Sequence, residues 1–173
     1  MENAVIAMIS IAIILGGTLT LALSCFPSVD MLSSSWKQMT QQAGEMRRTE
    51  IHGVDPAVLD GGSTIEMTIK NEGEVSLSDF SSWDVIVQYY SDNSSSYAKW
   101  LSYKSSTPLG DNQWTVEGIY FNDSAESIEP NILNPGEEMG IIMQVNPSVG
   151  DNTTNCATIS TPSGTTARVI FQE

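Results

Sequence analysis

Few residues in this chain have the types and spacing that catalysis or metal binding needs. There is one histidine, His52, and there are two cysteines, Cys25 and Cys156. A Ser-His-Asp relay or a histidine-rich metal centre has little to work with on that inventory. His52 reads as a surface or junction residue. No glycine-rich phosphate loop, CxxC pair or HExxH motif occurs. The "NEG" at 71–73 reads as a turn rather than a site. Cys25 lies in an apolar run and Cys156 near the other end of the chain. Two unpaired thiols are the simpler reading, and an intermolecular bridge is the alternative. The acids are the remaining candidates. Asp111-Asn112 and Asp151-Asn152 fall in expected loops, and Glu137-Glu138 follow a Pro-Gly turn. Calcium takes several oxygens, and none of these stretches has the spacing of a dedicated loop. Calcium assembled from separate loops is one reading, and solvated acid is the other. The expectation is a protein that is not an enzyme and has no resident cofactor.

The elements that would position these residues come in two parts. Residues 1–50 carry a net charge of −1, whereas 51–173 hold 17 acids and four bases, a net of −13. So acidic a body lacks the clustered Lys and Arg that phosphate binding requires, which excludes nucleic acid as a partner. It also disfavours docking on anionic lipid.

Ala4 to Phe26 is a run of 23 residues without a charge. A bilayer core needs roughly 20 such residues in a helix. A secretory signal begins with basic residues, but no Lys or Arg precedes Lys37. Gly16 and Gly17 sit mid-run, with Ala4, Ala7, Ala12 and Ala22 around them, and small residues let helices approach closely. Pro27 is expected to kink the helix or start a new one. Beyond it, Val29, Leu32, Trp36, Met39, Ala43 and Met46 recur every three or four residues, an amphipathic stripe. Ser33, Ser34, Lys37, Gln41 and Glu45 occupy the opposite face. A rod over residues 1–49 would be about 70 Å long, more than a membrane needs, and would want partners along its length.

The body, 50–173, alternates short strands and turns. Ile65, Met67 and Ile69 share one face of "STIEMTIK", and Trp83, Val85, Val87 and Tyr89 share one face of "WDVIVQYY". "YAKWLSY", "WTVEGIYF", "EMGIIMQV" and "ARVIFQ" follow, separated by turns such as "PLGDNQ" and "LNPGEE". The fold class is α+β: a long N-terminal hydrophobic α-helix, then an antiparallel immunoglobulin-like β-sandwich of six or seven short strands. Trp83, Tyr89, Tyr90, Tyr97, Trp100, Tyr103, Trp114 and Tyr120 read as sandwich core, with a sugar-binding face as the alternative. Three N-x-S/T sequons, at Asn93, Asn122 and Asn152, fall in loops or at strand ends, where N-linked glycans could attach.

These parts resemble the archaellins, the filament subunits of the archaeal swimming organelle. The resemblance rests on the apolar helix, its amphipathic continuation and three head motifs in order. "MTIKNEGEVSLSDFSSWDVIVQYY" is similar to the archaellin strand, turn and strand. "ILNPGEEMGIIMQV" is similar to the L-x-P-G-E turn with its following strand, and "TPSGTTARVIF" to the C-terminal strand. The chain lacks the glycine-containing start usual in archaellins. It carries Val5 where bacterial type IV pilins carry glutamate.

The resemblance implies a type IV pilin-like route. A leader peptidase removes a short basic leader, the helix is inserted transiently in the cytoplasmic membrane, and an assembly platform packs it into an extracellular cell-surface filament. The chain would then be a structural subunit of an archaellum-type filament for swimming motility. It would partner itself as a homopolymer, or paralogous subunits as a co-polymer. Ala4, Ala7, Ile11, Ile14, Gly16, Gly17, Leu21, Phe26, Leu32, Trp36 and Met39 would pack in the filament core. The alternative is an adhesive type IV-like pilin, or a membrane-anchored surface-binding or accessory protein with the same sandwich head.

Overall fold

The computed structural model describes residues 2–173, except the side chains of Glu2 and of residues 22–27. The expectations attached to Met1, Cys25, Phe26 and Pro27 therefore lie outside the described residues. The chain divides into two compact units, Met1–Ala43 and Gly44–Glu173.

The first unit is most of one helix, α1, Glu2–Arg48. Its stretch Asn3–Leu21, 19 residues, is long and apolar enough to cross a bilayer. The apolar side chains in it are exposed all round, Ile6, Met8, Ile13, Ile14 and Leu21 among them. Its hydroxyls are turned back on the helix. Ser10 Oγ donates to Ile6 O at 2.9 Å, Thr18 Oγ1 donates to Leu15 O at 3.0 Å, and Thr20 Oγ1 donates to Gly16 O. A polar group satisfied within its own helix removes the largest cost of entering hydrocarbon. The stripe beyond Pro27 is exposed as well, at Val29, Leu32, Trp36 and Met39.

The second unit is a sandwich of two four-stranded layers. One layer is ordered β1 (Ile51–Leu59), β2 (Thr64–Asn71), β7 (Glu138–Gln144) and β5 (Gln113–Phe121), with a two-residue β6 (Ser124–Ala125) paired to β5. The other is β4 (Ser96–Tyr103), β3 (Asp84–Tyr90), β8 (Thr154–Ser160) and β9 (Thr166–Gln172). The expected alternations hold. Ile65, Met67, Ile69, Trp83, Val85, Val87 and Tyr89 all point into the core. They meet Met139, Ile141 and Met143 of β7 and Ile159 of β8 there.

Three details depart from the expectation. β1 and β8, with the short β6, bring the strands to nine. One pairing is parallel, Ser102 with Gln113 and Tyr103 with Trp114, and it links the two layers. β1 carries Asp55-Pro56, with Asp55 at φ 49, and its register slips by one residue between Val54 and Ala57. A bulge on an edge strand accommodates proline, which has no N–H to give a ladder. At Gly53 the layers approach so closely that an added Cβ would lie 2.1 Å from Val169 Cγ2.

Tyr89 gives the core a titratable element. Its hydroxyl donates to Pro147 O at 2.7 Å, and its ring stacks on Tyr97 at 5.6 Å. Burial, with Tyr97 beside it, pushes its pKa from 10.0 up to about 12. Below the lower value both folded and unfolded chains hold the proton. Between the two values only the folded chain does. Stability is therefore complete below about pH 10 and falls as pH rises towards about 12. Urea midpoints followed through that window should decline, and Tyr89→Phe should remove part of the slope.

Candidate functional site

The outer face of the β4-β3-β8-β9 layer is built by register. Trp100, Ile86, Thr158 and Arg168 form one row across four strands, and Ala98, Gln88, Cys156 and Ile170 form the next. Odd-numbered positions of β3 fill the core, so its even-numbered positions must stand on this face. Trp100 is 59% exposed, Ile170 64%, Tyr90 47% and Ile86 39%. Trp100 is laid over β3 by its Nε1–H, which donates to Asp84 Oδ1 at 2.9 Å. Arg168 Nε donates to Cys156 Sγ at 2.9 Å, and Cys156 is a free, buried thiol. A groove of about 390 Å3 runs between Tyr90, Tyr97, Arg168 and Ile170. Neither row carries an acid, although the chain's net charge is −14. On so acidic a protein, two adjoining rows of exposed aromatic and aliphatic side chains whose one charged member is an arginine, with Asp84 bonded to Trp100 at their edge, have the composition of an interface core. Trp100 and Tyr90, grouped with the core aromatics on sequence, belong to this surface. Trp83, Tyr89 and Trp114 are in the core as expected.

Two of the three sequons rim this face. Asn93 lies in the β3–β4 turn and Asn152 just before β8, both exposed. The Asn93 Oδ1 accepts hydrogen bonds from Ser91 Oγ at 2.6 Å and Ser95 N at 3.0 Å. Asn122 is exposed in the β5–β6 turn, with φ 48.

The acidic pairs considered for calcium are scattered over separate contacts. Asp111 accepts from Asn146 Nδ2 at 2.7 Å, and Glu138 lies 3.7 Å from Lys70. Glu137 is buried rather than solvated, because its carboxylate closes the L-x-P-G-E turn by accepting from Asn134 N at 2.7 Å. That turn is tied to the "NEG" turn through Asn71, which is fully buried. Asn71 Nδ2 donates to Val75 O and Leu133 O at 2.8 and 2.9 Å, and Asn71 Oδ1 accepts from Gly73 N at 3.1 Å.

Among the described residues, one group of side chains gathers three metal-type donors: Glu50, His52 and Glu72, within 4.8 Å of one another. His52 Nδ1 and Glu72 Oε2 are 2.7 Å apart. The sequence offered no sign of this group. Glu72 reaches His52 only because β1 pairs with β2, and β1 is a strand that its Gly, Asp and Pro residues conceal.

No curated protein sequence matches the chain. A family model for conserved flagellar protein F, immunoglobulin-like domain, matches residues 54–171. Among solved structures the chain is similar to the archaellum periplasmic stator protein FlaG from Sulfolobus acidocaldarius. The identity is 21% and the TM-score 0.52, over 71% of this chain and 99% of that one. It is also similar to the stator protein complex of FlaF and FlaG from the same organism, at 21% identity and TM-score 0.52, over 71% and 89% of the chains. A third similarity is to the archaeal flagellum of Methanospirillum hungatei strain JF1, at 12% identity and TM-score 0.50, over 98% and 91%. These identities speak for the fold. The family model spans most of the sandwich, and on that ground the chain belongs to the conserved flagellar protein F family through its immunoglobulin-like domain.

Proposed function

We propose that the protein is a membrane-anchored component of the archaellum machinery of the stator type. In this reading α1 holds it in the cytoplasmic membrane and the head grips a protein partner. The observation that carries the reading is the outer face with Trp100, Ile86, Tyr90 and Ile170 exposed and Asp84 engaged by Trp100 at its edge. A partner of matching chemistry is a second sandwich of the same kind. The FlaF and FlaG proteins of Sulfolobus acidocaldarius, to which the chain is similar, form a stator protein complex. The head works by binding and performs no chemistry. Glycans at Asn93 and Asn152 would frame the face without covering its centre.

A second reading, a filament subunit with α1 in a polymer core, is favoured by the similarity to the Methanospirillum hungatei filament, which extends over 98% of the chain. Leader peptidase, assembly platform and self-association would then be its partners. Shearing separates the two readings. A stator-type protein should remain with the membrane fraction, whereas a filament subunit should leave with the sheared surface material. Trp100→Ser with Ile170→Ser should weaken capture of the head's partner about 30-fold or more, because truncated aromatic anchors dominate interface energy. Unchanged capture, measured by crosslinking in membranes, would remove the outer face from the proposal.

A further inference from the structure

We infer that Glu50, His52 and Glu72 bind one divalent cation of the zinc class where the chain leaves α1 and enters the sandwich. The three donors are one imidazole and two carboxylates, all within 4.8 Å. An imidazole nitrogen with carboxylate oxygens suits zinc, whereas calcium and magnesium take oxygen alone. Zinc binds such ligands at about 2.0–2.2 Å, with donors roughly 3–3.5 Å apart in a tetrahedral set. The side chains of His52 and Glu72 are 56% and 42% exposed, so small rotations bring the donors onto that shell. Water completes the coordination, as in sites with three protein ligands.

The backbone beneath is already set. Glu72 N and Gly73 N both donate to Glu50 O, at 2.9 and 3.1 Å, and Glu74 N donates to Arg48 O at 2.8 Å. β1 and β2 pair directly above, Ile51 with Asn71 and His52 with Lys70. The two carboxylates therefore come from segments already bonded to each other, and the imidazole follows one of them two residues on. Lys70, the nearest cation in register, is engaged by Glu138 at 3.7 Å rather than by the trio. Coordination replaces the His52–Glu72 hydrogen bond and staples 50–52 to the 71–73 turn. This inference is independent of the outer face and stands whichever reading of the head is correct.

The test uses the full chain in detergent micelles, stripped with chelator and titrated with zinc, then with calcium, by calorimetry. The expected result is one saturable zinc site, with calcium far weaker, and a zinc-dependent rise in the thermal midpoint. His52→Ala and Glu72→Gln should each weaken zinc at least ~10-fold while keeping native circular dichroism in chelator. Glu117→Gln, an exposed acid elsewhere, should leave zinc binding unchanged. Absence of saturable binding, or equal zinc affinity in His52→Ala, overturns the site. Calcium binding as tight as zinc overturns the metal class.

Discussion

Asn71→Ala should destabilise the head by about 3–4 kcal/mol, the largest effect expected of any polar substitution in it. The side chain is fully buried and makes three hydrogen bonds to backbone groups. Alanine leaves the carbonyls of Val75 and Leu133 and the amide of Gly73 without those partners. A buried group left unsatisfied costs about 1–3 kcal/mol, and water entering the new space recovers part of it. Two turns loosen together, because Asn71 ties the "NEG" turn to the turn that Glu137 closes. Ser76→Ala is the control. It removes a 2.8 Å bond to Asn134 Oδ1 between exposed groups and should cost under ~1 kcal/mol. Urea unfolding followed by tryptophan fluorescence reads both variants. A cost for Asn71→Ala no greater than the control's would show that the buried amide is not what joins the turns.

Gly73→Ala should be comparably damaging for a different reason. The residue has no left-handed backbone to relieve, so space alone selects glycine. An added Cβ would lie 2.5 Å from Arg48 O and 2.6 Å from Glu50 N. Both atoms are main chain and neither can rotate away. The turn must lift off the segment after α1, lengthening the bonds from Glu72, Gly73 and Glu74 to Glu50 and Arg48. The expected loss is about 3 kcal/mol, typical of overpacking against backbone. Amide exchange at residues 72–74 should accelerate as well. Gly110→Ala, whose Cβ would meet only the flexible Gln113 side chain at 3.3 Å, should be nearly neutral. If Gly73→Ala leaves exchange at 72–74 unchanged, the close approach is not what holds the turn.

Most of the strand layout could be read from the chain, because half-buried strands betray themselves by alternation. Val85, Val87 and Tyr89 against Ile86, Gln88 and Tyr90 is such a case. β8 escaped because its "TNCATIS" is small and polar, a composition typical of loops. Here small residues serve a central strand packed between β3 and β9. β1 escaped because Gly53, Asp55 and Pro56 are turn formers, tolerated on an edge with a bulge. The missing strands hid both candidate sites. Without β8 the rows linking Trp100 to Arg168 cannot be drawn, and Trp100 and Tyr90 pass for core. Without β1 nothing brings Glu72 to His52. The "NEG" turn was recognisable as a turn, but its task of joining two loops depends on contacts that reach from Asn71 to Leu133, 62 residues away.

The order of strands in the sandwich has a further consequence, for the time course of folding. β2 finds its neighbour in β7, where Thr64 pairs with Gln144, and β3 finds one in β8. The core is complete only when Val169 and Phe171 of β9 arrive, four residues or fewer from the described end of the chain. Pairings this distant make loop closure the slow step, placing such folds in the millisecond-to-second range. The N-terminal helix, by contrast, can form within about a microsecond. The helix is therefore ready long before the head. While the head waits, its half-built sheet edges lie open to pairing with other chains.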